Sequence, residues 1–154
     1  MKEFRVHEME YTGKRIQAEI LPLIPFRDSF YPQYERLYNE CFRDMRKALE
    51  IKPYDFLSDI RQLDGKKDDI FLLTEGGTLI GGVACYGTEI DDLFVSREHQ
   101  GKGYGRMLLI WAVNHIREHT DEPVTLHVAE WNRRAADLYI SNGFVIRKTE
   151  LIKR

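Results

Sequence analysis

The sequence predicts an α/β (α+β) fold built on a mixed, mostly antiparallel central sheet with helices on both faces. Three observations predict it. Apolar residues alternate with period two in several short runs, as half-buried strands do. Two longer stretches repeat apolar residues every three or four positions, the stripe of an amphipathic helix. The second half then reads strand, helix, strand, helix, strand, which implies a mixed sheet with helices on both sides. A chain of 154 residues suffices for one core and shows no repeat, low-complexity segment or boundary, so residues 1–154 are read as a single domain.

Residues 3 to 24 alternate on either side of Thr12-Gly13-Lys14, with Phe4, Val6, Ile16, Ala18 and Ile20 in step, which suggests a hairpin or two successive strands ended by Pro22 and Pro25. From Ser29 to about Leu49, the residues Phe30, Tyr34, Leu37, Cys41, Met45 and Leu49 mark a helix buried on one face. Pro53 stops it, and Tyr54 to Leu63 reads as a second, short helix. After the polar loop Gln62 to Asp69, "IFLLT" and "TLIGGVACYG" flank Glu75-Gly76-Gly77, a glycine-centred hairpin signal. "EIDDLFV" continues as a third strand. Beyond a glycine-rich loop, Leu108, Leu109, Ala112, Val113 and Ile116 form a helical stripe that ends near His119. Asp121-Glu122-Pro123 then leads into the strand "VTLHVAE". Asn132 opens the short helix "NRRAADLYISNG", Gly143 stops it, and "FVIRKTELI" closes as a strand.

With 23 basic and 25 acidic residues, the net charge of -2 provides no basic footprint for nucleic acid, so none is expected as a partner. No run approaches the ~18 apolar residues of a membrane span, and the start has no apolar core for a signal peptide. Cys41 and Cys85 lack zinc or redox spacing, and a reducing compartment suits them. The chain is therefore expected to be soluble and cytoplasmic, with no membrane partner.

The loop Gln100-Gly101-Lys102-Gly103-Tyr104-Gly105 lies between a strand and a helix, where free N–H groups and the helix dipole attract phosphate oxygens. A Walker loop is absent, because no Ser or Thr follows Lys102. A dinucleotide fingerprint would need a small residue where Arg106 stands, although Glu130 at a strand end mimics the ribose-binding acid.

Gln100-x-x-Gly103-x-Gly105 after a strand, followed by a second strand and then Asn132-x-x-Ala135-x-x-Leu138-Tyr139-x-x-x-Gly143-Phe144, closely resembles the GNAT superfamily of acyl-CoA-dependent N-acyltransferases. The resemblance is specific from about Ile70 to Phe144 and architectural before that. It implies a GNAT-like fold in which backbone N–H groups of Gln100, Gly101, Lys102, Gly103, Tyr104 and Gly105 cradle the pyrophosphate of coenzyme A, with Lys102 and Arg106 adding charge. It implies that backbone groups of Phe94 and Val95 pair with the pantetheine arm, and that the strands carrying Val95 and Val124 splay apart to admit the thioester. Asn132 would contact the cofactor, and Tyr139 would sit beside its sulfur. Glu89 matches the position of the catalytic glutamate in the histone-acetylating branch. Asp91 and Asp92 resemble the acidic pair of polyamine- and aminoglycoside-acetylating relatives. Few residues follow Phe144, where relatives complete a final hairpin, so either the N-terminal strands or a second subunit of a homodimer would fill that edge.

The chemistry agrees with such acids. A lysine-like amine with a pKa near 10.4 attacks only as the free base, and deprotonating it at pH 7 costs about 4.6 kcal/mol. A carboxylate can attract the ammonium and take its proton, and a tyrosine can reprotonate the leaving thiolate. Period two places Glu89 and Asp91 on one face with Leu93 and Val95, and Asp92 on the other with Ile90 and Phe94. Neighbouring carboxylates raise one another's pKa toward neutrality.

His115-x-x-Glu118-His119 matches a literal zinc pattern, but it occupies the last turn of a helix, where histidine and arginine complement the dipole, and no third ligand is indicated. No metal is expected. His127 reads as a packed histidine. Most of Tyr31, Tyr34, Tyr38, Phe42 and Tyr54 read as core, with Tyr31 and Tyr38 as candidate acceptor contacts. The sequence thus points to transfer of an acetyl group from acetyl-CoA to a primary amine in a ternary complex. The alternative is a non-catalytic acyl-CoA-binding sensor or interaction module.

Overall fold

The computed structural model describes residues 2–19 and 22–153, which contain seven strands and three α-helices joined by short 3-10 turns and loops. The strands are β1 (Glu3–Tyr11), β2 (Ile24–Pro25), β3 (Ile70–Glu75), β4 (Thr78–Tyr86), β5 (Glu89–Val95), β6 (Val124–Ala129) and β7 (Val145–Lys153). The helices are α1 (Tyr31–Ala48), α2 (Tyr104–Arg117) and α3 (Arg133–Ser141). The strands form one sheet in the order β2-β3-β4-β5-β6-β1-β7, antiparallel throughout except for β5 against β6.

The expected helices cover both faces. On one, Tyr34 and Leu37 of α1 pack with Ile70, Leu72, Leu79, Ala84 and Phe94. On the other, Leu108, Leu109, Ala112, Val113 and Ile116 of α2 pack with Leu73, Ile80, Val83, Ile90, Leu126 and Phe144. The β3–β4 hairpin turns on Gly76 (φ 57) and Gly77 (φ 81), the two successive positive φ values of a type I′ turn. Among the described residues, no helix is long and apolar enough to cross a membrane.

Two expectations fail for the same physical reason. The N-terminal alternation does not make a hairpin: β1 forms, but residues 13–19 stay outside the sheet, and Ile20 lies outside the described residues. The Asn114 side chain takes both the N–H and the C=O of Ile16 (2.8 and 2.9 Å), and Arg117 Nε donates to the Gly13 carbonyl at 2.8 Å. Side chains of α2 thus supply the hydrogen bonds that a second strand would have needed. Likewise Tyr54 to Leu63 is not a helix. Asn39, itself buried, binds both backbone groups of Leu57 (2.9 and 3.0 Å) and holds that segment open. Only Ile60–Leu63 turns, as a 3-10 helix started by the Asp59/Gln62 capping box.

The N-terminal strand lies one place in from the edge, and β7 takes the last position. β1 inserts between β6 and β7, pairing antiparallel with both, from Val6↔Ala129 to Tyr11↔Val124 on one side and from Glu3↔Lys153 to Glu10↔Val145 on the other. Met9 is 0% exposed within the α2-side core. Met9→Ala is therefore expected to lower the unfolding free energy by about 2–5 kcal/mol, measured by urea denaturation. A loss near zero would detach β1 from the core.

Candidate active site

The site begins where the sheet parts. β5 and β6 pair in parallel only at Glu89↔Thr125 and Ile90↔Leu126, and the strands then diverge. At that point β5 carries a bulge against β4, between the pairs Ala84↔Asp91 and Gly82↔Phe94. Asp92 takes a positive φ of 50°, a conformation that costs a non-glycine residue about 1 kcal/mol or more. Its N–H donates to Asp91 Oδ1 at 2.7 Å and its Oδ1 accepts from the Tyr38 hydroxyl at 2.9 Å, which hold the bend. Between the parted strands lies a cavity of about 360 Å³, floored by Ile90 and Leu126 and bounded by α1 through Tyr38, Phe42 and Arg46 and by α3 through Asn132, Ala135 and Tyr139.

The bulge overturns the expected division of β5 into faces. Ile90 and Phe94, expected on one face, lie in opposite cores, Ile90 under α2 and Phe94 under α1. Leu93 and Val95 pack on the α2 side with Ile90 instead of sharing a face with Asp91. The extra residue brings Asp91 and Asp92 together at the cavity. Burial lifts the Asp92 carboxyl most, and the Asp91 charge lifts it further, to about 6 from an ordinary 3.8, against the pull of the Tyr38 hydroxyl. Asp91 is also raised, chiefly by burial and then by Glu89, while the Asp92 N–H and His127 oppose the rise. Glu89 stands apart: its Oε2 lies 3.1 Å from His127 Nδ1, and it does not line the cavity, whereas His127 does.

Tyr139 lines the same cavity as the acids and packs on Phe144, with ring centroids 6.1 Å apart. Burial first, then the Asp91 charge, pushes its hydroxyl up to about 12, so it keeps its proton. Asn132 also lines the cavity, with its Oδ1 engaged as the N-cap of α3, accepting from the Ala135 N–H at 3.2 Å. Tyr38 reaches the site, but Tyr31 turns to Glu35 at 2.7 Å, away from the cavity lining. Arg46 at the rim, with its guanidinium 4.8 Å over the Phe56 ring, is a lining residue that helical periodicity did not single out.

The glycine loop leads into α2. Gly101 and Gly103 adopt φ of 78° and 88°, and a Cβ at either would meet open space. Gly103 is the N-cap and has no side chain to cap with, so the first-turn N–H groups of Tyr104, Gly105 and Arg106 are free for an anion. Lys102 is exposed, and Arg106 Nε holds Asn142 Oδ1 at 3.1 Å, tying the loop's helix to the end of α3. Gln100 reaches back, its Nε2 donating to the Val95 carbonyl at 2.9 Å, and Cys41 Sγ contacts the same oxygen at 3.2 Å. Because the Ser96 N–H donates to Ile80 O, and antiparallel strands alternate, Phe94 turns its backbone groups to β4 and Val95 turns its own toward the parted side. The Val95 N–H thus faces the opening.

At the far end of α2 the structure does add a third donor to the two histidines: ligand atoms of His115, Glu118 and His119 lie within 4.8 Å of one another. Glu118 is 3.7 Å from Arg15, and His115 stacks on Trp111 at 4.8 Å, with burial lowering its pKa.

A model of the acetyltransferase (GNAT) family matches residues 31–144. No curated protein matches the chain. Among solved structures, the chain is similar to a protein described as a GNAT-family acetyltransferase from Novosphingobium aromaticivorans, with 15% identity and a TM-score of 0.71 over 98% of this chain and 63% of that one. It is similar to a GNAT-family acetyltransferase from Colwellia psychrerythraea, with 12% identity and a TM-score of 0.74 over 96% and 54%. It is also similar to a ribosomal-protein-alanine N-acetyltransferase from Brucella melitensis, with 19% identity and a TM-score of 0.60 over 80% and 83%. The chain thus spans less than two thirds of the length of each of the first two.

A raised folded-state pKa means that the stability contributed by protonated Asp92 is complete below pH 3.8 and is lost as the pH rises through about 6. Asp92→Asn should therefore stabilise the fold at pH 8 by about 2 kcal/mol after allowance for solvent screening, with the gain vanishing near pH 4. Urea titrations at the two pH values measure it.

Proposed function

Because the chain belongs to the GNAT acetyltransferase family, we propose that it transfers an acetyl group from acetyl-CoA to a primary amine by direct attack in a ternary complex. The observation that carries this reading is the placement of Asp91, Asp92 and Tyr139 around one cavity lined by β5 and β6.

The residues present fit an acyl-CoA. The glycine loop and the free N–H groups of Tyr104, Gly105 and Arg106 would hold its pyrophosphate, and the Val95 N–H would meet the amide-bearing arm. When bound, it supplies an activated thioester carbonyl. The remaining work belongs to the chain. Asp91 and Asp92 attract the acceptor's ammonium, and Asp92, with a pKa of about 6, is mostly a carboxylate at pH 7 and still basic enough to relay a proton. It takes the place expected for Glu89, whose contact with His127 leaves it outside the cavity lining.

Tyr139 keeps its proton, and the magnitude limits its part. Full transfer from a phenol of pKa about 12 to a thiolate of ordinary pKa near 8.5 is uphill by roughly 3.5 units. Its hydroxyl therefore acts mainly by donating a hydrogen bond to the charge that collects on the leaving sulfur, and solvent completes the protonation.

Isothermal titration should detect coenzyme A binding, and Gly103→Val, which strains a φ of 88° and fills the cradle, should abolish it while the fold persists by circular dichroism. No binding to the parent chain would end this reading. Asp92→Asn should lower kcat/KM about a hundredfold and remove the rise in rate through about pH 6. Tyr139→Phe should lower kcat with little change in coenzyme A affinity. Binding without thiol release across a broad amine panel would instead indicate a non-catalytic acyl-CoA-binding module.

A further inference from the structure

The two edges of the sheet are finished differently. β2 is two residues long and ends in Pro25, a blocked edge that cannot take another strand. β7, at the opposite end, has nine residues, pairs with β1 along one side, and is exposed at every position but Ile152. Of the six exposed large hydrophobics among the described residues, Trp131, Ile140, Val145, Ile146 and Leu151 lie on β7 or beside it at α3; only Phe56 lies elsewhere. An open groove between α3 and β7 is lined by Trp131, Ile140 and Ile146. Apolar surface concentrated along a strand with one open edge marks a contact surface.

The register against β1 assigns the faces of β7. His7↔Thr149 and Arg5↔Leu151 share a face with Met9↔Ile146, because Arg147 is the extra residue of a bulge at Glu8/Met9. Lys148 and Glu150 lie on the other face, with Lys148 Nζ 2.7 Å from Glu150 Oε1.

We propose that β7 pairs antiparallel with β7 of a second copy of this chain, about a two-fold axis at Thr149, so that the sheet continues from one copy into the other. Such an axis runs perpendicular to the sheet, so residues that meet must share a face. Centred on Thr149, Lys148 meets the partner's Glu150 and Glu150 meets the partner's Lys148. On the α3 face Leu151 meets the partner's Ile146 across the bulge, next to Ile140 and Trp131. Centring the axis one residue away would place Lys148 on the partner's Lys148 or Glu150 on the partner's Glu150. The charges that would otherwise guard an edge strand thus select one self-pairing and oppose its neighbours. Charge complementarity of β7 with itself is what commits the occupant to a second copy.

Light scattering coupled to size exclusion, over a concentration series of the full chain, should show a species of twice the 18.2 kDa chain mass. Lys148→Glu alone and Glu150→Lys alone each place like charges opposite one another twice per dimer and should weaken it about tenfold or more, the loss shrinking in high salt. An equimolar mixture of the two variants should restore the dimer as a heterodimer, an outcome that repair of the intrachain Lys148/Glu150 pair cannot produce. In the parent dimer, the amides of β7 that point away from β1 should exchange slowly in proportion to dimer population. A monomer at all concentrations overturns the proposal, as does a dimer that ignores both reversals. Slow exchange of those amides in a monomer would mean that something other than a second copy covers the edge, and would overturn it too.

Discussion

The site depends on one structural conflict: β5 must remain hydrogen-bonded to β4 while it leaves β6. A continuous parallel ladder would close the sheet, and it ends after two residue pairs. The bulge at Asp91–Asp92 lets β5 diverge without losing β4, since one extra residue turns the strand and returns it to register at Phe94. β4 accommodates the bend with glycine. A Cβ on Gly81 would lie 2.5 Å from the Phe94 carbonyl, and one on Gly82 would press the Phe94 ring at 3.2 Å. Any larger residue would push β5 toward β6 and narrow the opening.

The bend also creates the electrostatics. In an unbroken strand two successive aspartates face opposite sides and barely interact; the bulge sets them side by side, half-enclosed by Tyr38 and Tyr139. Burial is the larger cause of Asp92's rise and the Asp91 charge the next. A pair that is costly to ionise is stabilised by a positive charge brought beside it, which is the part proposed above for the acceptor's ammonium.

The elements that periodicity and punctuation specify were legible in the sequence: α1 from its Tyr34-Leu37-Cys41 stripe, the hairpin from Gly76-Gly77, and α3 from Asn132 and Gly143. The glycine loop and the acids were legible as a neighbourhood. What periodicity could not supply was the register break, because a bulge at two aspartates leaves no mark in an alternating pattern, and it decided which acid reaches the cavity. The two failed elements share a cause in tertiary contacts. Asn114, Arg117 and Asn39 carry no mark in the apolar periodicity, yet their side chains replace the ladder or helix bonds of other segments. Gly81 read as part of a strand; its reason, the approach of a carbonyl from β5, exists only in three dimensions.

Opening β5 from β6 leaves β6 with almost no support on that side, and β1 supplies it. β6 has two residue pairs with β5 and a continuous register with β1 from Val124 to Ala129. Those β6 residues include His127, Val128 and Ala129, which form one wall of the cavity. β1 is in turn held by β7 over nearly its whole length, interrupted only by the bulge at Met9. The load of keeping the cavity open therefore runs from β6 through β1 to β7, and the N-terminal strand, which carries no residue of the site, sets where one wall of the site stands. A strand in that position does more than complete the sheet: fraying at β1 or β7 would let β6 drift, and the distance between the acids on β5 and Tyr139, which follows β6 in the chain, would lose its definition before the core itself failed.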